Sequence, residues 1–294
     1  MTTITKALSY LTAIALLSSG SVALGQQLPS CVLTHQASGF PTAMLADVAN
    51  LADRRPIAVG MPPSILWIDK VHHTDTQVAP GELLSVLAQW PSPIPTTGDP
   101  LPPMTAMSTP WPTSLDGVEV LINGAPRAAI GYVGPRRDLP IWQQAIPNGE
   151  AMIQLPPDVV GSVTLQIRQT ASDGKQCVGN MLTLPVVPAA SSLVSDASGS
   201  PLVQQDGAVS VLYAVGMGGL VNPVPVGTPA NVAIEVINSP YVTVDGAPVP
   251  VLYAGATPGV VGLYQINLAG SVAGEVKIVQ GGQTLAAHVA ASTK

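Results

Sequence analysis

Phenylalanine occurs once in 294 residues, cysteine twice and histidine four times, and only 10% of the side chains are charged. Each scarcity excludes something. A disordered chain would carry more charge and fewer apolar residues than the 47% found here. A nucleic-acid binder would be basic, whereas 11 Lys and Arg against 17 Asp and Glu leave a net charge of −6. After the first 25 residues no apolar run is long enough to span a membrane; the best, Val209 to Val221, is interrupted by glycines and falls short of the ~20 residues a span needs. Catalytic signatures are missing as well: there is no Gly-x-Ser-x-Gly elbow and no His-Glu-x-x-His pair. Gly216-Met217-Gly218-Gly219 is not followed by an amphipathic helix whose dipole could face a phosphate, so it reads as a strand-end bend. The abundant residues are 28 glycines and 30 prolines, which no long helical bundle accommodates. The reading is an all-β chain rich in loops.

The first 25 residues read as an address. Lys6 supplies a positive n-region, Ala7 to Leu17 an apolar h-region, and Ala23-Leu24-Gly25 a small-x-small cleavage site. The mature chain is therefore expected outside the cytoplasm: extracellular, periplasmic or at the cell surface. In that oxidising setting Cys31 and Cys177 are expected to form a disulfide, with a loop long enough for about 4–5 kcal/mol of stabilisation in the chain-entropy picture. Lipidation at Cys31, from Leu28-Pro29-Ser30-Cys31, and two free thiols are the alternatives.

A repeat organises the rest. Val118-Glu-Val-Leu-Ile-Asn-Gly-Ala-Pro126 recurs as Val242-Thr-Val-Asp-Gly-Ala-Pro248, and both are followed by Tyr-x-Gly, at Tyr132 and Tyr253. Asn123-Gly124 and Asp245-Gly246 are the dipeptides of two-residue hairpins, because both positions need positive φ. Upstream, Gly81 to Ala88 parallels Gly207 to Ala214; downstream, Gly161 to Ile167 parallels Gly274 to Ile278. The expected organisation is a signal peptide (1–25), an N-terminal arm (26–60), a first β-sandwich (61–188) with a Pro/Trp-rich loop (90–113), and a second β-sandwich (189–294). Strands are predicted over 64–73, 82–89, 118–122, 163–169 and 181–187, then over 209–214, 231–237, 249–253, 262–268 and 275–279, from alternation and β-branched content. Ala43, Met44, Val48 and Leu51, with Thr42 as N-cap and Pro56 as stop, predict one short helix in the arm.

Val211 to Gly218 followed by Asn222-Pro223 and Val226-Gly227, then Val244 to Gly255 followed by Pro258-Gly259 and Gly262 to Asn267, resemble the "Solibacter-type" C-terminal domain of secreted acidobacterial proteins. Ala79 to Val86 and Ile122 to Pro126 are similar to the front half of that unit. The resemblance covers roughly residues 64 to 291. It implies tandem immunoglobulin-like or transcription-factor-immunoglobulin-like sandwiches outside the cytoplasm, and no activity or catalytic residue.

Candidate site residues are few. Trp90 and Trp111 flank a segment with almost no charge and many prolines. Indoles on stiff proline loops make stacking platforms for sugars or proline-rich peptides when they face solvent, and a lid on the sandwich when they do not. His73 and Asp75 alternate on one face of a predicted strand and form a weak two-ligand metal candidate. Tyr213 and Tyr253 are expected to tie loops to the sandwich through their hydroxyls, as a tyrosine corner does. No cofactor is called for. With so few lysines to guard strand edges, proline must do much of that work, and lateral self-association or a crowded surface setting is expected. The function expected is a structural or adhesive interaction protein, without catalysis, that meets a cell-surface or extracellular protein or glycan. The alternative is a non-catalytic carbohydrate-binding module using the tryptophan–proline loop.

Overall fold

The computed structural model describes residues 44–47, 77–89, 104–135, 148–170, 176–195 and 200–290. Every regular element among them is a strand. The N-terminal half holds β1 (Met44–Asp47), β2 (Leu83–Gln89), β3 (Met104–Thr105), β4 (Ser114–Leu115), β5 (Val118–Ile122), β6 (Ala125–Pro126), β7 (Ala129–Pro135), β8 (Asn148–Gln154), β9 (Ser162–Thr170) and β10 (Gln176–Pro185). The C-terminal half holds β11 (Ser192–Leu193), β12 (Val203–Asp206), β13 (Val209–Val215), β14 (Ile234–Glu235), β15 (Tyr241–Val244), β16 (Ala247–Val249), β17 (Val251–Ala256), β18 (Tyr264–Ala269), β19 (Gly274–Gln280) and β20 (Gln283–Val289).

These strands form four antiparallel sheets. In the first half the orders are β1-β2-β8-β7-β3 and β10-β9-β5-β4, with β6 on β5. In the second they are β11-β13-β18-β17-β14, with β12 on β13, and β16-β15-β19-β20. Placed side by side, β2-β8-β7 matches β13-β18-β17, and β10-β9-β5-β6 matches β20-β19-β15-β16. Each pair of sheets has the two-sheet strand order of an immunoglobulin-like sandwich. The chain is all-β and immunoglobulin-like, as its alternation and turn residues predict.

The repeated hairpins show why the halves agree. Asn123 and Gly124 stand at φ 52° and 80°, Asp245 and Gly246 at 48° and 80°. Side chains rarely adopt positive φ, and Asn, Asp and Gly tolerate it best. Each turn is also fastened sideways in the same way. Asn123 donates its N–H to the Thr164 carbonyl at 2.9 Å and accepts from the Thr164 N–H through Oδ1 at 2.8 Å. Asp245 donates to the Glu275 carbonyl at 2.8 Å and accepts from the Glu275 N–H at 2.8 Å. A third turn of this kind, Asp116-Gly117 at φ 51° and 72° between β4 and β5, has no counterpart in the predicted strand map.

Alternation places the apolar residues inside. Val163, Leu165 and Ile167 on β9 meet Val118, Val120 and Ile122 on β5 and Leu84, Ile130 and Ile153 of the facing sheet in one cluster. Leu212, Ile266 and Leu268 meet Val242, Val276, Ile278 and Leu285 in another. Fully burying each such side chain contributes about 1.5–3 kcal/mol.

Three predictions are corrected. The helix predicted from Ala43 to Leu51 is replaced over Met44–Asp47 by β1, antiparallel to β2 with Met44 opposite Leu87; an open strand edge outweighed a short helical spacing. The strand predicted over 231–237 shrinks to Ile234–Glu235, plus a bridge from Val236 to Leu220. The strand predicted over 249–253 breaks at Pro250, which has no N–H to donate, and resumes as β17 with a register shift between Val251 and Tyr253. The equivalent shift in the first half lies between Ile130 and Tyr132. The strand predicted over 64–73 and the signal peptide lie outside the described residues.

Candidate functional site

A third apolar cluster draws from both pairs of sheets. Leu83, Trp111, Ala129, Tyr132 and Met152 from the first half pack with Val194, Val215, Val260, Val261 and Leu263 from the second. The geometry of this joint starts from backbone that lacks side chains. A Cβ on Gly131 would lie 2.8 Å from Cη2 and Cζ3 of Trp111 and 2.7 Å from Met152 Cε, so the bare glycine is what admits the indole. A Cβ on Gly227 would lie 2.8 Å from Ala129 Cβ and 2.8 Å from the Trp111 nitrogen. Gly227 also stands at φ 75°, a region that disfavours any side chain. A Cβ on Gly262 would lie 2.5 Å from Leu83 Cγ.

Hydrogen bonds stitch across the same contact. The Trp111 backbone N–H donates to the Gly227 carbonyl at 2.9 Å. The Gly227 N–H donates to Gln154 Oε1 at 2.7 Å, and Gln154 Nε2 donates to the Gly81 carbonyl at 3.2 Å. One glutamine amide therefore ties β8, the turn before β2 and a loop of the second half.

Beside this seam Glu82 is wholly buried and accepts from the Ala79 N–H at 2.6 Å. Its other oxygen lies 2.9 Å from where a Cβ on Gly216 would stand. Tyr264, also buried, donates its hydroxyl to the Gly218 carbonyl at 2.8 Å. Burial, and secondarily the nearby Glu82 charge, push the Tyr264 phenol well above its ordinary pKa. Gly216 and Gly218 adopt positive φ directly after β13, the strand-end bend that their sequence predicts.

Trp111 is therefore placed differently from a stacking platform. It is 6% exposed and has no free ring face for a sugar; the apolar cleft between the sheet pairs is where so large a ring buries most area. Trp90, His73, Asp75 and Cys31 lie outside the described residues, and Cys177 falls on β10. The described residues contain no cluster of three or more His, Cys, Asp or Glu suited to a metal ion.

The charged pairs here hold surface. Arg127 meets Asp158 at 2.6 Å and lowers that carboxyl's pKa chiefly through the hydrogen bond. Arg168 meets Glu119 across β9 and β5 at 2.6 Å. Of the tyrosines, Tyr253 ties its strand to β14, its one hydroxyl hydrogen shared between the carbonyls of Ala256 at 2.8 Å and Ile234 at 3.1 Å. Tyr213 donates to Gln204 Oε1 at 2.8 Å, across to β12. Their hydroxyls fasten neighbouring strands.

Sequence reasoning missed Gly131, Gln154, Gly227 and Gly262. The available signal was Gly131, a glycine inside a strand where no turn requires one. What each glycine makes room for is encoded far away in the chain.

No family model and no curated protein matches the chain. Among solved structures, it is similar to a "Chimeric titin Z1Z2 functionalized with a KLER exogenous peptide from decorin", with 13% identity, 75% of this chain and 93% of that chain covered, and a TM-score of 0.20. It is likewise similar to the "titin domains z1z2 in complex with telethonin", with 13% identity, 74% and 92% covered, and a TM-score of 0.17. The immunoglobulin-like assignment rests on the strand order itself, and these likenesses carry no argument about function.

Proposed function

We propose that the chain is a non-catalytic structural and interaction scaffold acting outside the cytoplasm, with two sandwich domains locked at a fixed angle. The observation that carries this reading is the joint: an apolar core shared by both pairs of sheets, with Trp111 wedged against Gly131 and backbone bonded across to Gly227. Linked domains move relative to each other unless their contact is large and apolar. A buried aromatic, close glycine contacts and a chain of hydrogen bonds give this contact the character of an interior. The residues support a spacer that holds surfaces at a set separation. The signal-like first 25 residues and the resemblance to a domain of secreted proteins support the export.

Nuclear spin relaxation on the full chain tests the reading. One rotational correlation time is expected for the amides of both sheet pairs. Two independent correlation times would overturn it.

A further inference from the structure

Nine of the ten terminal positions in these sheets are blunted. β3, β4, β11 and β14 are two residues long. β16 is three residues, carries Pro248 and runs into Pro250. β1 and β12 are four residues and end in Asp47 and Asp206. β6 is a two-residue arm. β10 has a register break between Val178 and Met181, and its end is bonded by Val78, which donates to the Pro185 carbonyl at 3.0 Å and accepts from the Val187 N–H at 2.8 Å. Short length, proline, charge and bulges are the ordinary means of stopping edge-to-edge pairing.

β20 has none of them. It runs seven residues, Gln283–Val289, in unbroken register with β19, and among the described residues nothing pairs with its other side. It contains no proline, and His288 is its one ionisable side chain. Gln280 and Gln283 flank the two-residue turn at Gly281-Gly282, so those two exchange the first pair of bonds and the pattern alternates from there. The N–H and C=O groups of Thr284, Ala286 and His288 therefore point away from β19.

We propose that β20 pairs with β20 of a second copy of this chain, antiparallel about a two-fold axis through Ala286. That register sets Ala286 opposite Ala286 and Thr284 opposite His288, and uses all the outward groups in roughly six hydrogen bonds. No like charges face each other. Leu285 of one copy comes opposite Ala287 of the other, on the face that already packs into the core. The two four-stranded sheets become one continuous sheet of eight. A two-fold contact closes on itself, so the product is a dimer and not a fibre.

This pairing deepens the scaffold reading by naming its partner, and the two fail separately: joint variants change the tumbling of the halves, edge variants change association. The test is sedimentation of the full chain up to ~1 mM, with amide exchange read at Thr284, Ala286 and His288. Two variants accompany it. Ala286→Pro removes an outward N–H at an edge, where proline is tolerated. Ala286→Glu places a carboxylate opposite Lys277 within the chain and opposite its own twin across the axis. The expected result is a reversible dimer, a dissociation constant about tenfold or more weaker in each variant, and protection of the three amides that grows with concentration. A monomer at every concentration overturns the proposal. So does a dimer that both variants leave unchanged. Protection that persists at every dilution also overturns it, since another segment of the same chain would then occupy the edge. A monomer whose three amides become protected only when an extended peptide of another protein is added overturns it in favour of that partner.

Discussion

A single phenol at the joint has a measurable pH signature. Tyr264 is favoured in its neutral form when folded, because burial and then Glu82 raise its pKa. Its contribution to stability is whole below the ordinary phenol value of about 10. It is lost as pH climbs past that value toward the raised folded one, because the unfolded chain ionises first. Denaturant titrations at increasing alkaline pH should show wild type losing up to about 1.4 kcal/mol more per pH unit than Tyr264→Phe. At neutral pH the same variant leaves the Gly218 carbonyl without its donor and should cost about 1–3 kcal/mol. Parallel slopes for the two proteins above pH ~10 would sink the first expectation. A neutral Tyr264→Phe at pH 7 would sink the second.

At the scale of elements, the hairpins were legible and the rest only partly so. Asn-Gly and Asp-Gly between alternating apolar residues carry their turn in their own chemistry, and β5 falls on the predicted residues 118–122. β8, β12 and β20 were not foreseen, since β12 is mostly exposed and β20 carries alanines where strong strand formers are expected. β1 shows the converse, with helical spacing overruled by an available edge. The lateral fastening of both turns leads to a paired expectation. Asn123→Ala and Asp245→Ala each lose a side-chain bond to the neighbouring strand and force alanine to positive φ. Each should cost about 1–3 kcal/mol in chemical denaturation, whereas Asn123→Asp should cost less than half as much. A cost in only one of the two hairpins would show that the fastening is not equivalent.

For the whole molecule, an apolar cluster drawn from both halves leads to the expectation that they unfold together. Calorimetry of the full chain should show one unfolding transition. Gly227→Val, with a side chain at φ 75° against Ala129 and Trp111, should cost about 2 kcal/mol or more and divide that transition into two, one for each pair of sheets. Two transitions already present in wild type would mean that the seam adds little cooperativity. The joint was the least legible part of the sequence, because it depends on Gln154 meeting Gly227 and Leu83 meeting Gly262, encounters that no local periodicity records.

The position of Trp111 has a practical corollary. Severing the gene between Val187 and Ser191 would leave one fragment with a bare indole, Leu83 and Met152 on its surface and the other with Val215, Val261 and Leu263 stripped of cover. Neither fragment should stay in solution when produced alone, and each should be rescued when the other is made in the same cell.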